Sequence, residues 1–533
     1  MAKYLQLIAG IFGFAVVAAS LILWNDIAIM PDEIAIRVQT GRFIQDIGMS
    51  YGLYALCPDR FQPIPWIFIP SAWLLSWAEL HFTVYQFRLI AIGSLLACFA
   101  GVAFVSVRSK KPLSLLWLPA AIVGVAGSTL VYYRYEMFTY LHLLLCCTVL
   151  YNLRAQQGML TRLTLSASLI ISQMTMAYVH PQAQLFLPLT AFLTFRLLFW
   201  TRLQAIGLIV VALAFGGIAM VTHTFFDLRC AAHPGIIAFW KQMVLDTASF
   251  DIGAMMLASS EKFDAFTSAF TYNTDYKINY LLGLPSTVVE EPMIAALNQV
   301  MKFGFLLVAF TGAVLFLTSL TRLLRFVFLD KMELNKWRFD AEIFFVSIFG
   351  PIAFYYFYDS NLYFYRAHFL NVVAVLVIVI GASNMQLRRL FNGVMGAFGL
   401  IFVSIAVGSV VLNATYFLPT LLSHEGPSTS MSNEIVGSPS KIEEFAKACG
   451  IDVTQGSGIV SDVTHEVAKR YEKIYSITYL GLQMSYAKVN AAEVIRTIRP
   501  NYVLARCTEM EMTGLGWPAD KTMGLLCCSR LAQ

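Results

Sequence analysis

Carboxylates and cations recur at one end of the apolar segments of this 533-residue chain. Asp32 and Glu33 follow Met30-Pro31, a few residues beyond an apolar run that ends at Trp24, and Glu136 closes the stretch Tyr132-Tyr133-Arg134-Tyr135-Glu136. Arg60 stands between the first two long apolar runs, and Arg366 sits in Tyr363-Phe364-Tyr365-Arg366-Ala367-His368. A fixed cation beside a membrane suits a lipid phosphate, because the planar guanidinium fork matches phosphate oxygens. Acids and cations gathered on one side therefore outline a site for a phosphorylated lipid. His180, in the turn His180-Pro181-Gln182, and His368, just inside an apolar run, are further candidates. An ionisable group within a membrane is costly and is a functional candidate by default.

Each feature also has a plainer reading. Pro31 early in a helix, with acids at the positive end of the dipole, is ordinary capping. Tyrosine belts and snorkelling arginines anchor helices at an interface without chemistry, which covers Arg134 and Arg366. Polarity alone accounts for the His180 turn, and a hydrogen-bonded core histidine accounts for His368.

The elements that must position these residues follow from composition. The chain is 58% hydrophobic and 13% charged, with a mean hydropathy of +0.67, against roughly 25% charged in soluble domains. This argues against a soluble fold. About eleven apolar runs approach the length needed to cross a bilayer as a helix. They are Leu5–Trp24, Leu89–Val107, Pro112–Val131, Met137–Leu153, Leu163–Val179, Ala183–Phe199, Ala205–Val221, Phe303–Leu320, Ile343–Phe357, Ala367–Gly381 and Phe391–Phe417. The first is read as an uncleaved helix. With the N-terminus inside, the basic loops carrying Arg108, Lys110, Lys111, Arg154, Arg162, Arg196, Arg202, Arg322, Arg325, Lys331, Lys336, Arg338, Arg388 and Arg389 all face the cytoplasm, as the positive-inside rule requires. Trp66–Ala78 is too short for a span and is expected as a juxtamembrane or re-entrant helix. The net charge of +5 is accounted for by those loops. No basic cluster is interleaved with stacking aromatics, so nucleic acid is not an expected partner.

Hydropathy collapses after Phe417. Residues 1–420 are expected to form the transmembrane part, 421–435 a linker, and 436–533 a small α/β domain outside the cytoplasm. Within that domain a helix is expected over Lys441–Cys449, a strand over Gly458–Val460, a helix over Val463–Lys473, and a strand over Tyr502–Ala505. Four cysteines fall there, Cys449, Cys507, Cys527 and Cys528, and a disulfide from Cys449 or Cys507 to one of the C-terminal pair is expected in an oxidising compartment. Adjacent Cys527-Cys528 is not a zinc-ligand spacing.

Taken in order, the motifs resemble the integral-membrane glycosyltransferases of the GT-C superfamily, in the branch holding protein O-mannosyltransferases and the lipid A aminoarabinose transferase. The resemblance runs over roughly the first 380 residues. It rests on Pro31-Asp32-Glu33 after the first span, Gln62-Pro63-Ile64-Pro65-Trp66 opening a juxtamembrane helix, Arg88 opening the next span, Glu136, His180-Pro181, and Tyr365-Arg366. It implies an all-α polytopic membrane fold with juxtamembrane helices in the first outer loop. It also implies transfer of a sugar, hexose or pentose, from a polyprenyl phosphate to a lipid, glycan or protein acceptor, with inversion. The resemblance makes Asp32 the general base, with Glu33 beside it. Glu136 would orient the acceptor, and Arg366, with Arg134 and Arg60, would hold the donor phosphate. Gln62 departs from the branch, which often carries Lys there. No cofactor is assigned; a divalent metal is left open, since some relatives use one and others do not, and no metal ligand set is read. The implied location is the bacterial inner membrane, with the site and the C-terminal domain periplasmic. The competing expectations are a transporter or flippase of lipid-linked sugars, and a non-catalytic assembly subunit of the same fold. A transporter should keep charge along a path through the bilayer, and most of these runs carry none near the middle.

Overall fold

In a computed structural model of the chain, the described residues are 49–51, 61–108 apart from 83, 135–153, 158–179, 181–199, 204–227, 310, 312–325, 337–358, 439–453, 457–461, 464, 473–477, 480, 484, 490–512, 518–524 and 526–531, with scattered positions among 8–25 and at 296, 299 and 373. A short antiparallel hairpin, β1 (Met49–Tyr51) and β2 (Phe61–Pro63), leads into a 3-10 turn, Trp66–Phe68, and helix α1 (Ile69–His81). Pro70 in its first turn suits α1, since the missing N–H there has no partner to lose. Then come α2 (Val84–Arg108), α3 (Tyr135–Asn152), α4 (Met159–Val179), a 3-10 turn (Pro181–Phe186), α5 (Leu187–Leu198), α6 (Gln204–Asp227) and α7 (Trp337–Tyr358). Residues 312–325 are also helical. Successive helices pack on one another from α2 to α6, α1 lies on α4, and α7 lies on α5.

Where described, the helices fall on the expected apolar runs, and Trp66–Ala78 forms the 3-10 turn and the start of α1. Among the described residues, no helix is long and apolar enough to cross a membrane. The expected runs Pro112–Val131 and Phe391–Phe417 lie outside the described residues, as does all of Ala367–Gly381 apart from Val373.

Close packing leaves its mark at Gly207 on α6. A Cβ there would overlap the Phe199 ring, so the ring that ends α5 takes the place of a side chain. Val211 and Phe215 of α6 bury against Leu187, while Ile206, Leu208, Ile209, Leu213 and Met220 are exposed. Hydroxyls inside the helices turn back on their own backbone: Ser94 donates to the Ile90 carbonyl, Thr148 to Leu144, Thr222 to Ile218 and Thr318 to Val314. That local bonding satisfies each hydroxyl within its own helix.

The C-terminal part holds α8 (Pro439–Ala448), β3 (Ser457–Val460), β4 (Lys473–Ser476), α9 (Ala491–Ile498), β5 (Tyr502–Arg506), α10 (Cys507–Met512), β6 (Lys521–Met523) and β7 (Leu526–Arg530). The sheet order is β4-β3-β5-β7-β6; β3 runs parallel to both its neighbours, and β7 runs antiparallel to β5 and β6. The expected helix over Val463–Lys473 is corrected at its end: Lys473 opens strand β4, which pairs in parallel with β3 and whose β-branched Ile474 and aromatic Tyr475 favour a strand.

Adjacent strand residues point to opposite faces of a sheet. Leu526 and Cys528 of β7, with Tyr502 and Leu504 of β5, bury against Ile442, Phe445 and Ala446 of α8. Cys528 is bonded on that face to Cys449, and Cys527 is bonded to Cys507 at the head of α10. Both expected partners are used, and the vicinal pair staples one strand on both sides. Helix α8 closes with Gly450 at φ +68°, its N–H on the Lys447 carbonyl and that of Ile451 on Ala446. This left-handed cap is where glycine is favoured.

Candidate functional site

The last turns of α4 are the hub of the helical part. Gln173, Met174, Thr175, Met176, Ala177, Tyr178 and Val179 are all buried in succession, so other elements surround this end of the helix on every side. Three of these elements flank candidate residues.

The first is the segment that follows Gln62. Strand β2 carries Gln62 opposite Ser50, and the chain then enters the 3-10 turn and α1. The Phe68 ring lies 5.9 Å from that of Tyr178. The Thr175 hydroxyl donates to the Ile171 carbonyl, so the Ser71 hydroxyl, 2.9 Å away, donates to Thr175 Oγ1. The α1 face opposite this contact exposes Trp73, Leu74 and Trp77.

The second is the start of α3. Glu136, expected in a short loop, lies in the first turn of the helix, which begins at Tyr135. A carboxylate is favoured there by the helix dipole, and the run of tyrosines before it gives no turn signal that would delay the helix. Helices α3 and α4 are joined by a few residues and therefore run antiparallel. Glu136 precedes His142 by six residues, about 9 Å along the axis. It thus sits toward the buried end of α4, since His142 is bonded to Ser172.

The third is the turn after His180. The expected tight turn His180-Pro181-Gln182 continues as the 3-10 turn Pro181–Phe186, because Pro181 fixes a helical φ and Pro188 restarts the chain as α5. Gln173 of α4 donates to the Ala183 carbonyl in this turn at 2.9 Å.

Asp32, Glu33, Arg60, Arg134, His180, Arg366 and His368 lie outside the described residues. Arg88, at the head of α2, is fully buried and donates to the Asn25 carbonyl at 2.9 Å, which ties α2 to the chain leaving the first apolar run.

The opposite end of the helices carries a different arrangement. Arg196 was expected as a loop cation; it lies inside the last turn of α5, buried, with Nε 2.7 Å from Asp340 Oδ1 and Nη2 3.0 Å from Oδ2. Both side chains are 2% exposed. Glu342, two positions beyond on α7, accepts from Arg322 Nη1 at 2.8 Å. A buried guanidinium needs such a partner, and its charge is taken up within the fold. Among the described residues, no group of three His, Cys, Asp or Glu side chains gathers to hold a metal ion.

No protein-family model matches the chain, and no curated protein sequence matches it. Among solved structures, it is similar to ArnT from Cupriavidus metallidurans bound to undecaprenyl phosphate, at 11% identity and a TM-score of 0.41, over 99% of this chain and 98% of that one. It is also similar to the Archaeoglobus fulgidus oligosaccharyltransferase in complex with zinc and sulfate, at 12% identity and a TM-score of 0.38, over 93% of this chain and 68% of that one.

Proposed function

We propose that this chain is a membrane-embedded glycosyltransferase of the GT-C type, which moves a sugar from a polyprenyl phosphate to an acceptor outside the cytoplasm. One observation carries the reading: the segments flanking Gln62, Glu136 and His180, far apart in sequence, meet at one end of α4. Three of the ordered motifs, at Gln62, Glu136 and His180-Pro181, adjoin those segments, and Pro31-Asp32-Glu33 and Tyr365-Arg366 lie outside the described residues. Membrane embedding is supported by the apolar composition, by the exposed Ile206, Leu208, Ile209 and Leu213 of α6, and by the helix hydroxyls bonded to their own backbone. Two disulfides in the C-terminal part belong to an oxidising compartment, which supports a periplasmic location for it.

In this reading the acceptor nucleophile loses its proton to the Asp32 carboxylate as it bonds to the anomeric carbon. The bond from that carbon to the phosphate oxygen breaks on the far side, which inverts the centre, and the electron pair leaves with the polyprenyl phosphate. The leaving group is a good one, so the site needs a base, cations and exclusion of water more than an acid. Arg366, Arg134 and Arg60 supply the cations, and Glu136 orients the acceptor. Hexose or pentose, and lipid, glycan or protein acceptor, are choices made by the residues around these groups.

The test uses membranes holding the full chain, matched membranes lacking it, and a panel of polyprenyl phosphates carrying labelled sugars. The expected result is chain-dependent loss of label from the lipid, with free polyprenyl phosphate formed in equal amount. Label that stays on the lipid but crosses to the other leaflet would replace this reading with transport.

A further inference from the structure

The side chains buried beneath the hub form one directed chain of hydrogen bonds. Gln173 sets its direction: Nε2 donates to the Ala183 carbonyl, so Oε1 is the atom facing Thr190 Oγ1 at 2.8 Å, and it accepts. The single Thr190 proton is thus committed to Gln173, and the Phe186 carbonyl at 3.0 Å shares it. His142 Nε2, 2.8 Å from the same oxygen, must therefore carry a proton and donate. A neutral imidazole has only that one N–H, so its Nδ1, 3.1 Å from the Ser172 hydroxyl, accepts from it. His142, Gln173 and Thr190 are each fully buried. Full burial disfavours the charged ring, so the imidazole is held neutral in one tautomer, bonded on its two sides to different helices. Apolar side chains on neighbouring helices can slide past one another at small cost, whereas a satisfied buried network fixes one arrangement.

We infer that His142 is a positioning residue that locks the first turns of α3, and Glu136 with them, to the turn Pro181–Phe186. The lock rests on geometry alone; its effect on turnover rests on the transferase reading. Hydrogen exchange on the full chain separates the two. In His142→Leu, which removes both bonds, amides of residues 135–142 and 181–190 should exchange at least about tenfold faster, while those of α6 and the C-terminal sheet stay as in wild type. His142→Gln keeps an N–H within reach of Thr190 and should restore most of the protection. With a labelled donor that wild type consumes, His142→Leu should lower kcat about 10- to 100-fold and leave the donor KM unchanged, the signature of misplaced groups rather than lost binding. Ser172→Ala removes one bond only and carries the same comparison if His142→Leu does not fold. Wild-type exchange at both segments, or equal acceleration in every helix, overturns the lock. Altered exchange with unchanged kcat in an active wild type overturns the positioning role. A wild type that consumes no donor counts against the transferase reading, while exchange still decides the lock.

Discussion

The two ends of the α4–α5 pair bury polar groups by opposite means. At the end near Glu136, the Ser172–His142–Thr190–Gln173 chain is neutral throughout. At the other, Arg196 and Asp340 form a two-bonded ion pair between α5 and α7. The difference separates two uses of charge. An arginine matched by an acid of the fold is occupied and holds helices together. The neutral network itself adds no fixed charge to compete for a phosphate or to raise or lower a nearby carboxylate.

The largest effect should come from breaking the ionic end. Asp340→Ala leaves the Arg196 guanidinium buried without its counter-charge and should cost about 3–5 kcal/mol, read as a fall in the thermal midpoint of the solubilised chain. His142→Leu should cost less, because only neutral hydrogen bonds are lost; equal losses would erase the contrast between the two ends. The C-terminal sheet extends the comparison with a third device, covalent bonds on both faces of β7. Cys528→Ser should destabilise that part by about 2–5 kcal/mol, seen as protease cleavage there while the helices stay intact. Gly207→Ala forces a methyl against the Phe199 ring and should cost about 1–3 kcal/mol, read in the thermal midpoint. The smallest effect belongs to Arg322→Ala. Arg322 is 39% exposed, and its bond to Glu342 should be worth no more than about 1 kcal/mol, weakening further in salt.

Much of the frame is legible in the sequence because hydropathy is a local property. The runs that form α2 to α7, the short helix after Gln62, and strands β3 and β5 all announce themselves within a window of twenty residues. Long-range pairing does not. Arg196 reads as a loop cation because the acid that claims it, Asp340, is 144 residues away. His142 and Gln173 each interrupt an apolar run, and that interruption is the signal that could have marked them, since a polar group there must find a partner. Which partner depends on the helix packing, which no local pattern gives. The cysteines lie between these cases. The count and the vicinal pair signal disulfides, and the face alternation of β7 decides that each takes its own partner. Of the candidate site, the helix containing Glu136 and the turn after His180 can be placed, while the roles of Asp32, Glu33 and the three arginines rest on motif order.

In the proposed transfer Asp32 takes the acceptor proton. Its most direct test compares wild type, Asp32→Asn and Glu33→Gln at equal levels in membranes, measuring release of labelled sugar from a polyprenyl phosphate donor. Asp32→Asn keeps the shape and removes the base, so donor consumption should fall at least about 100-fold, the scale of general-base catalysis, with Glu33→Gln less affected. Equal consumption by wild type and Asp32→Asn would contradict the account.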